Sequence, residues 1–360
     1  MMKNRWLKLL CLAAGLAVFS SSNAVESGPL LISDVPAGQV YTDAHIERIK
    51  NRDLAALKSG AGDPLVDEYL LTRKIYNLDA ESLSQDEVEF LQQASKHQAL
   101  AYKQHPEGPI AVPIFDVSSL AKHKLFLRGI YLKKPELLKV LNTNVAQFAQ
   151  SSLLTPTHTE AAKLVLNQSR GHLSPVTIDV LVDGYKHNMN SASFVLLRTL
   201  VESYKSYPAA AALLSSEYDS PLKHQVMSQL RQHFSATECE KLLREYALNQ
   251  PKLASQALIE YGKLPLNVLN MEVLYSKLSD NKLGSSSALA LSRLLKQSSD
   301  YSAVVDHLKQ KASSRHAVAN GLLTLKLVDT PDSRALLKTI LENDSIQFDD
   351  MKTEVKTWVN

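Results

Sequence analysis

Apolar residues along most of this chain recur three and four positions apart, and convincing apolar–polar alternation is missing. A 3.6-residue period puts such positions on one face of a helix, so the pattern predicts amphipathic helices and no strands. Two are predicted near the start, at 43–58 and 64–77. Ser84 and Glu87 then form an S-x-x-E capping box that opens a third, running to about Lys103.

From residue 191 onward the helices become periodic. The windows 191–220, 221–250, 251–281, 282–312 and 313–344 each read as helix, short break, helix. Within the second helix of each window an adjacent apolar pair recurs: Leu213 with Leu214, Leu242 with Leu243, Val273 with Leu274, Val304 with Val305, Leu336 with Leu337. Successive pairs lie 29, 31, 31 and 32 residues apart. Residues 157–189 form one more such unit, with Val180 and Leu181 in the same place. A period of about 30 residues made of helical hairpins predicts a stacked α-solenoid, because each hairpin buries its apolar face only against its neighbours.

The last window, "SRHAVANGLLTLKLVDTPDSRALLKTILEND", resembles a HEAT-type repeat: an alanine-rich first helix, a short turn at Val328-Asp329-Thr330-Pro331, and a second helix with paired leucines. The resemblance runs through 157–344 and implies an all-α fold, a right-handed solenoid of HEAT-like hairpins. It implies no catalytic residues, since the family shares none. The irregularly spaced helices of 25–106 are expected to form an N-terminal helical cap, and 345–360 a C-terminal capping helix closing the stack through Phe348, Met351, Val355 and Trp358.

Between cap and array lies "EGPIAVPIFDVSSLAKHKL". Pro109 and Pro113 bias the residues before them away from helix, so 107–117 is expected to be an extended connector. Asp116 follows it and precedes a helical pattern. A carboxylate there accepts hydrogen bonds from the free N–H groups of a first helical turn, so Asp116 is read as an N-cap and not as a catalytic acid. Ser235 is read as an N-cap in the same way, with Glu238 completing a capping box.

Residues 118–156 would hold the first helices of the array, and they are basic: Lys122, Lys124, Arg128, Lys133, Lys134 and Lys139 stand against Glu136 alone. Such a run is either a patch for an anionic envelope component or a solvated helix face.

The first 24 residues carry Lys3, Arg5 and Lys8, an apolar run from Leu9 to Phe19, and "SSSNA", the pattern of a secretory signal peptide cleaved after Ala24. Cys11 sits inside the apolar run behind Leu10, unlike a lipidated cysteine. The chain has 40 basic and 37 acidic residues. Removing the leader takes away three basic side chains and leaves a formally neutral protein, which argues against nucleic acid as a partner. Cys239 is then the one cysteine left, so no internal disulfide forms. That composition fits a Gram-negative periplasm better than full secretion.

The chemistry sought is mostly missing. Eleven histidines include no H-E-x-x-H pair, and P-loop, EF-hand, G-x-G-x-x-G and G-x-S-x-G patterns are absent. No metal, cofactor or catalytic set is therefore expected. Cys239 shares one helix face with Leu242, Leu243, Tyr246 and Ala247 and reads as core. "GYKHNMN" at 184–190 offers Tyr185, His187 and Asn188, side-chain types found in uronic-acid lyases, but reads more simply as a helix end.

The expectation is a non-enzymatic exported scaffold, adaptor or regulator, not membrane-spanning, that binds another periplasmic or membrane-anchored protein. The alternatives are an all-α enzyme acting on envelope glycan or peptide, and a module for a small ligand or lipid.

Overall fold

A computed structural model describes residues 29–51 and 62–359. The leader, its cleavage position and Cys11 lie outside the described residues. The chain is all-α in character: among the described residues there are eighteen α-helices and a single two-stranded sheet. No helix there is long and apolar enough to cross a membrane. Two compact units are separated after Gly129.

In the first unit, α1 (Asp43–Lys50), α2 (Pro64–Asn77) and α3 (Gln85–Ala94) are followed by β1 (Tyr102–Gln104) and β2 (Ala111–Pro113). Of the helix expected at 43–58, the part at 52–61 lies outside the described residues. Helix α2 has the expected limits, with Pro64 in its first turn and Asp63 accepting the Leu65 N–H. Ser84 and Glu87 form the expected capping box on α3.

Helix α3 stops at Ala94, well short of Lys103. The helix-forming composition of 95–103 is overridden by tertiary contacts. Glu68 on α2 accepts the Leu100 N–H at 2.6 Å and contacts the His97 ring at 2.8 Å, and this turns the chain back on itself. It then enters a hairpin in which Tyr102, Lys103 and Gln104 pair with Pro113, Val112 and Ala111. The expectation of no strands is corrected here: three-residue strands are too short to display alternation. Leu31 bridges to Ile110 beside β2, and Val40 bridges to Tyr102 beside β1. Two apolar clusters hold the unit, one around Ile46, Ile49, Leu65, Val66 and Ala101, the other around Ile75, Leu83, Val88, Leu91 and Val117.

Helix α4 (Val117–Thr143) is continuous through Pro135, and the division between the units falls inside it.

The second unit continues with α5 (Val145–Ser151), α6 (Pro156–Gln168) and α7 (Pro175–Lys186). The five periodic windows each hold two helices. These are α8 (Ser191–Tyr204) with α9 (Tyr207–Ser215), α10 (Leu222–His233) with α11 (Ala236–Asn249), α12 (Ala254–Tyr261) with α13 (Glu272–Lys277), α14 (Gly284–Ser298) with α15 (Ser302–Gln310), and α16 (Arg315–Val328) with α17 (Pro331–Glu342). Helix α18 (Asp349–Val359) ends the chain. The breaks are visible in the backbone. Lys205, Ser299 and Asp329 end α8, α14 and α16 in the left-handed conformation. After Asp329, Thr330 caps α17 with Pro331 in its first turn.

The first helices of the windows pack as a row, α6 on α8, α8 on α10, α10 on α12, α12 on α14, α14 on α16 and α16 on α18. In every window at least one member of the apolar pair is buried, and of the earlier pair Leu181 is buried while Val180 is exposed. Phe348, Met351, Val355 and Trp358 all pack into the terminal cluster with Leu322, Leu325 and Leu337.

Candidate functional site

The six basic residues of α4 do not share one role. Lys124 donates from Nζ to the carbonyl oxygens of Tyr76 at 3.2 Å and Leu78 at 2.6 Å, at the C-terminal end of α2. Arg128 donates from Nη1 to the Leu83 carbonyl at 2.7 Å. A cation at a helix C-terminus satisfies orphan carbonyls and opposes the dipole. Lys124 acts in this way at the end of α2, while Arg128 ties down the loop carbonyl of Leu83 just before α3; burial lowers the Lys124 pKa. Lys122 is exposed. In the second unit Lys133 pairs with Glu136 at 3.0 Å, Lys134 is half-buried and Lys139 is exposed.

Asp116 accepts the Ser119 N–H at 2.9 Å, the geometry of an N-cap on α4. Ser235 and Glu238 form a reciprocal box on α11, and those hydrogen bonds hold the Glu238 carboxyl below its ordinary value. Cys239 is fully buried, and burial pushes its thiol up to about 11. The residues of "GYKHNMN" are not gathered: Tyr185 is fully buried against Ser152 at 3.2 Å, whereas His187 and Asn188 are exposed.

Polar contacts between windows repeat at nearly one sequence period. Tyr204 donates to the Leu166 carbonyl 38 residues back. Tyr246 donates to Ala211 at 3.0 Å across 35 residues, and Arg293 to Ile259 at 3.2 Å across 34. Ser255 and Ser286 hydroxyls meet at 2.6 Å across 31 residues, and Tyr301 meets Thr330 at 2.8 Å across 29. Burial of its phenol pushes Tyr204 up to about 12, so it is a fixed donor at neutral pH. Exposed apolar side chains in this unit include Val176 at 72% and Leu154 at 68%.

Two buried carboxylates went unseen in the sequence. Glu260 on α12 is 2% exposed; its Oε1 accepts Lys263 at 2.6 Å and Gln256 at 3.0 Å, and its Oε2 has no partner. Glu68 in the first unit is 1% exposed, holds His97 and Leu100, and likewise leaves Oε2 unpartnered. In front of His97 lies a cavity of about 400 Å³, bounded by the 97–99 turn, the hairpin and the first turn of α4. A signal for Glu68 does exist in "PLVDEYLLTRKIYN": Leu65, Glu68 and Ile75 lie on one helical stripe, which puts an acid on an apolar face.

Among the described residues no group of three or more His, Cys, Asp or Glu side chains is placed to hold a metal ion. Comparison with family models, curated proteins and solved structures finds no match to this chain.

Proposed function

We propose that the protein is an exported helical-repeat scaffold, a right-handed α-solenoid of HEAT-like hairpins over 157–344, that binds another envelope protein through its repeat surface. The observation carrying this reading is the ladder of polar contacts one period apart, from Tyr204–Leu166 to Tyr301–Thr330. Equivalent helices that bond across 29 to 38 residues are what stacked repeats require. The row of first helices and the polar outer face of α18, with Glu354, Lys356 and Thr357 exposed, accord with an array and its end cap. Val176 and Leu154 are the exposed apolar anchors such a surface would offer.

The test is photo-crosslinking in intact cells from a reactive residue placed at 154 or 176, with position 353 on α18 as control. One discrete adduct from both 154 and 176, with the adduct from 154 lost on Val176→Glu, is the expected result. Absence of any adduct from both positions overturns the scaffold reading. Export is checked separately by sequencing the mature N-terminus, expected at Val25.

A further inference from the structure

In the last four windows the first helices differ in charge from the second helices they pair with. Helices α10, α12, α14 and α16 hold six basic residues, Lys223, Arg231, Arg293, Lys296, Arg315 and Lys326, and one acid, Glu260, which is 2% exposed. Helices α11, α13, α15 and α17 hold six basic residues against seven acids. The solvent-facing side of the first helices thus carries cations and no exposed acid, in a chain whose formal net charge is only +3. Helices α8 and α18 bound this stretch: on α8 Arg198 is paired with Glu202, and on α18 Asp350 and Glu354 bring acids back to the surface.

The cations gather at one end of the row. Arg231, Lys296 and Lys326 stand in the last turns of their helices, and Lys263 lies just beyond the end of α12. Bonds between neighbours align these ends: Arg231 donates to the Lys263 carbonyl at 3.4 Å, and Arg293 to the Ile259 carbonyl at 3.2 Å. A carbonyl carries no formal charge and takes one of five guanidinium N–H donors, so both arginines keep charge and donors to offer. Lys263 is paired with Glu260 and Arg315 with Asp350, but among the described residues Arg231, Arg293, Lys296 and Lys326 have no ion pair. The acids at this end belong to the turns and second helices, where Glu238 and Asp300 accept the Ser235 and Ser302 N–H groups and Asp329 pairs with Arg334. A last-turn cation opposes its helix dipole, which accounts for one per helix and not for the missing acids.

Cations alone would suit any polyanion. Between them the same helices present Gln229, Gln232 and Gln297, whose amides both donate and accept, as a peptide main chain requires.

We propose that this end of α10, α12, α14 and α16 is the docking surface for an extended acidic segment of the partner protein, its carboxylates meeting Arg231, Lys263, Arg293, Lys296 and Lys326 helix by helix. Packed helices lie about 8–10 Å apart and an extended chain advances about 3.3 Å per residue, so an acid at every third residue keeps step with the row. The proposal rests on the scaffold reading and names the chemistry of its partner.

The experiment is fluorescence anisotropy of a labelled peptide of repeated Glu-Ser-Thr triplets titrated with the full protein, with a Lys-Ser-Thr peptide and inorganic polyphosphate for comparison. Saturable binding of the acidic peptide at about 50 mM salt, weakened as salt rises, and none of the basic peptide is the expected result. Lys296→Glu with Lys326→Glu, both exposed, is expected to weaken it at least tenfold with unchanged circular dichroism, and the milder Lys296→Gln with Lys326→Gln by a smaller factor. Lys241→Glu with Lys338→Glu, exposed on the second helices, is expected to leave affinity within twofold. Three results overturn the proposal: no saturable binding of the acidic peptide, polyphosphate of equal charge bound as tightly, or an equal loss from the second-helix pair. A discrete adduct from 154 and 176 alongside any of these leaves the scaffold reading standing and removes only this surface.

Discussion

Gly262 and Ala290 meet where the end of α12 crosses α14, and a Cβ on Gly262 would stand 2.6 Å from the Ala290 Cα. The backbone of Gly262 is right-handed helical, so its conformation suits any residue and the glycine answers to space alone. Gly262→Ala must push the two helices apart, an overpacking that costs about 1–3 kcal/mol. Urea unfolding of the protein is expected to show the lower midpoint, and an unchanged midpoint would mean that the row of first helices is looser than described.

Lys124 tests the reassignment of the basic helix. Removing its ammonium with Lys124→Ala leaves the Tyr76 and Leu78 carbonyls without their donor. A hydrogen bond to a charged group contributes about 1.5–3 kcal/mol, and partial exposure moves the expectation to the low end. Lys122→Ala, at an exposed neighbour, is expected to change stability by no more than about 0.5 kcal/mol. Equal losses from the two substitutions would return Lys124 to the solvated surface.

These two cases mark what the sequence shows and what it hides. Period, windows, caps and the helical character were legible because each depends on residues close in sequence: Ser84 with Glu87, Thr330 with Pro331, the adjacent leucines. The roles of Lys124 and Arg128 were not, because their acceptors are backbone carbonyls 45 to 48 residues away, and carbonyls leave no mark in a sequence. Helix α3 ends earlier than its composition predicts for a related reason. What stops it is Glu68, 29 residues from His97, and nothing in "SKHQALAYK" announces that partner. The cavity beside His97 leaves no mark in the sequence either, since its lining comes from a turn, a hairpin and a helix start.

His307 gives the chain a pH response. Its Nε2 is buried without a partner, its ring lies 6.2 Å from that of Tyr275, and burial followed by the nearby Lys311 lowers its pKa, with Glu272 opposing. The folded chain therefore prefers the neutral ring, while the unfolded chain takes up a proton near the ordinary value of 6.5. Stability from this residue is present above that value and is lost as pH falls through it. The urea midpoint is expected to drop between about pH 7.5 and about pH 5.5, and His307→Leu to flatten that drop. A wild-type midpoint that rises on acidification contradicts this sign.

Cys239 should be silent in the folded protein. The thiolate is the reactive form, and a thiol pushed up to about 11 inside a core has almost none of it at neutral pH. Iodoacetamide is expected to leave Cys239 unlabelled in the native protein and to modify it stoichiometrically in denaturant. Labelling at a rate above that of unfolding would place the thiol at the surface.

The ladder between windows has a consequence for how such a chain tolerates change. In the Tyr204, Tyr246 and Arg293 contacts the acceptor is main chain, supplied by Leu166, Ala211 and Ile259 whatever side chain stands there. Half of each such rung is thus indifferent to the side chain that stands at the acceptor position. The side chains at those three acceptor positions can therefore change without removing the contact between neighbouring helix pairs.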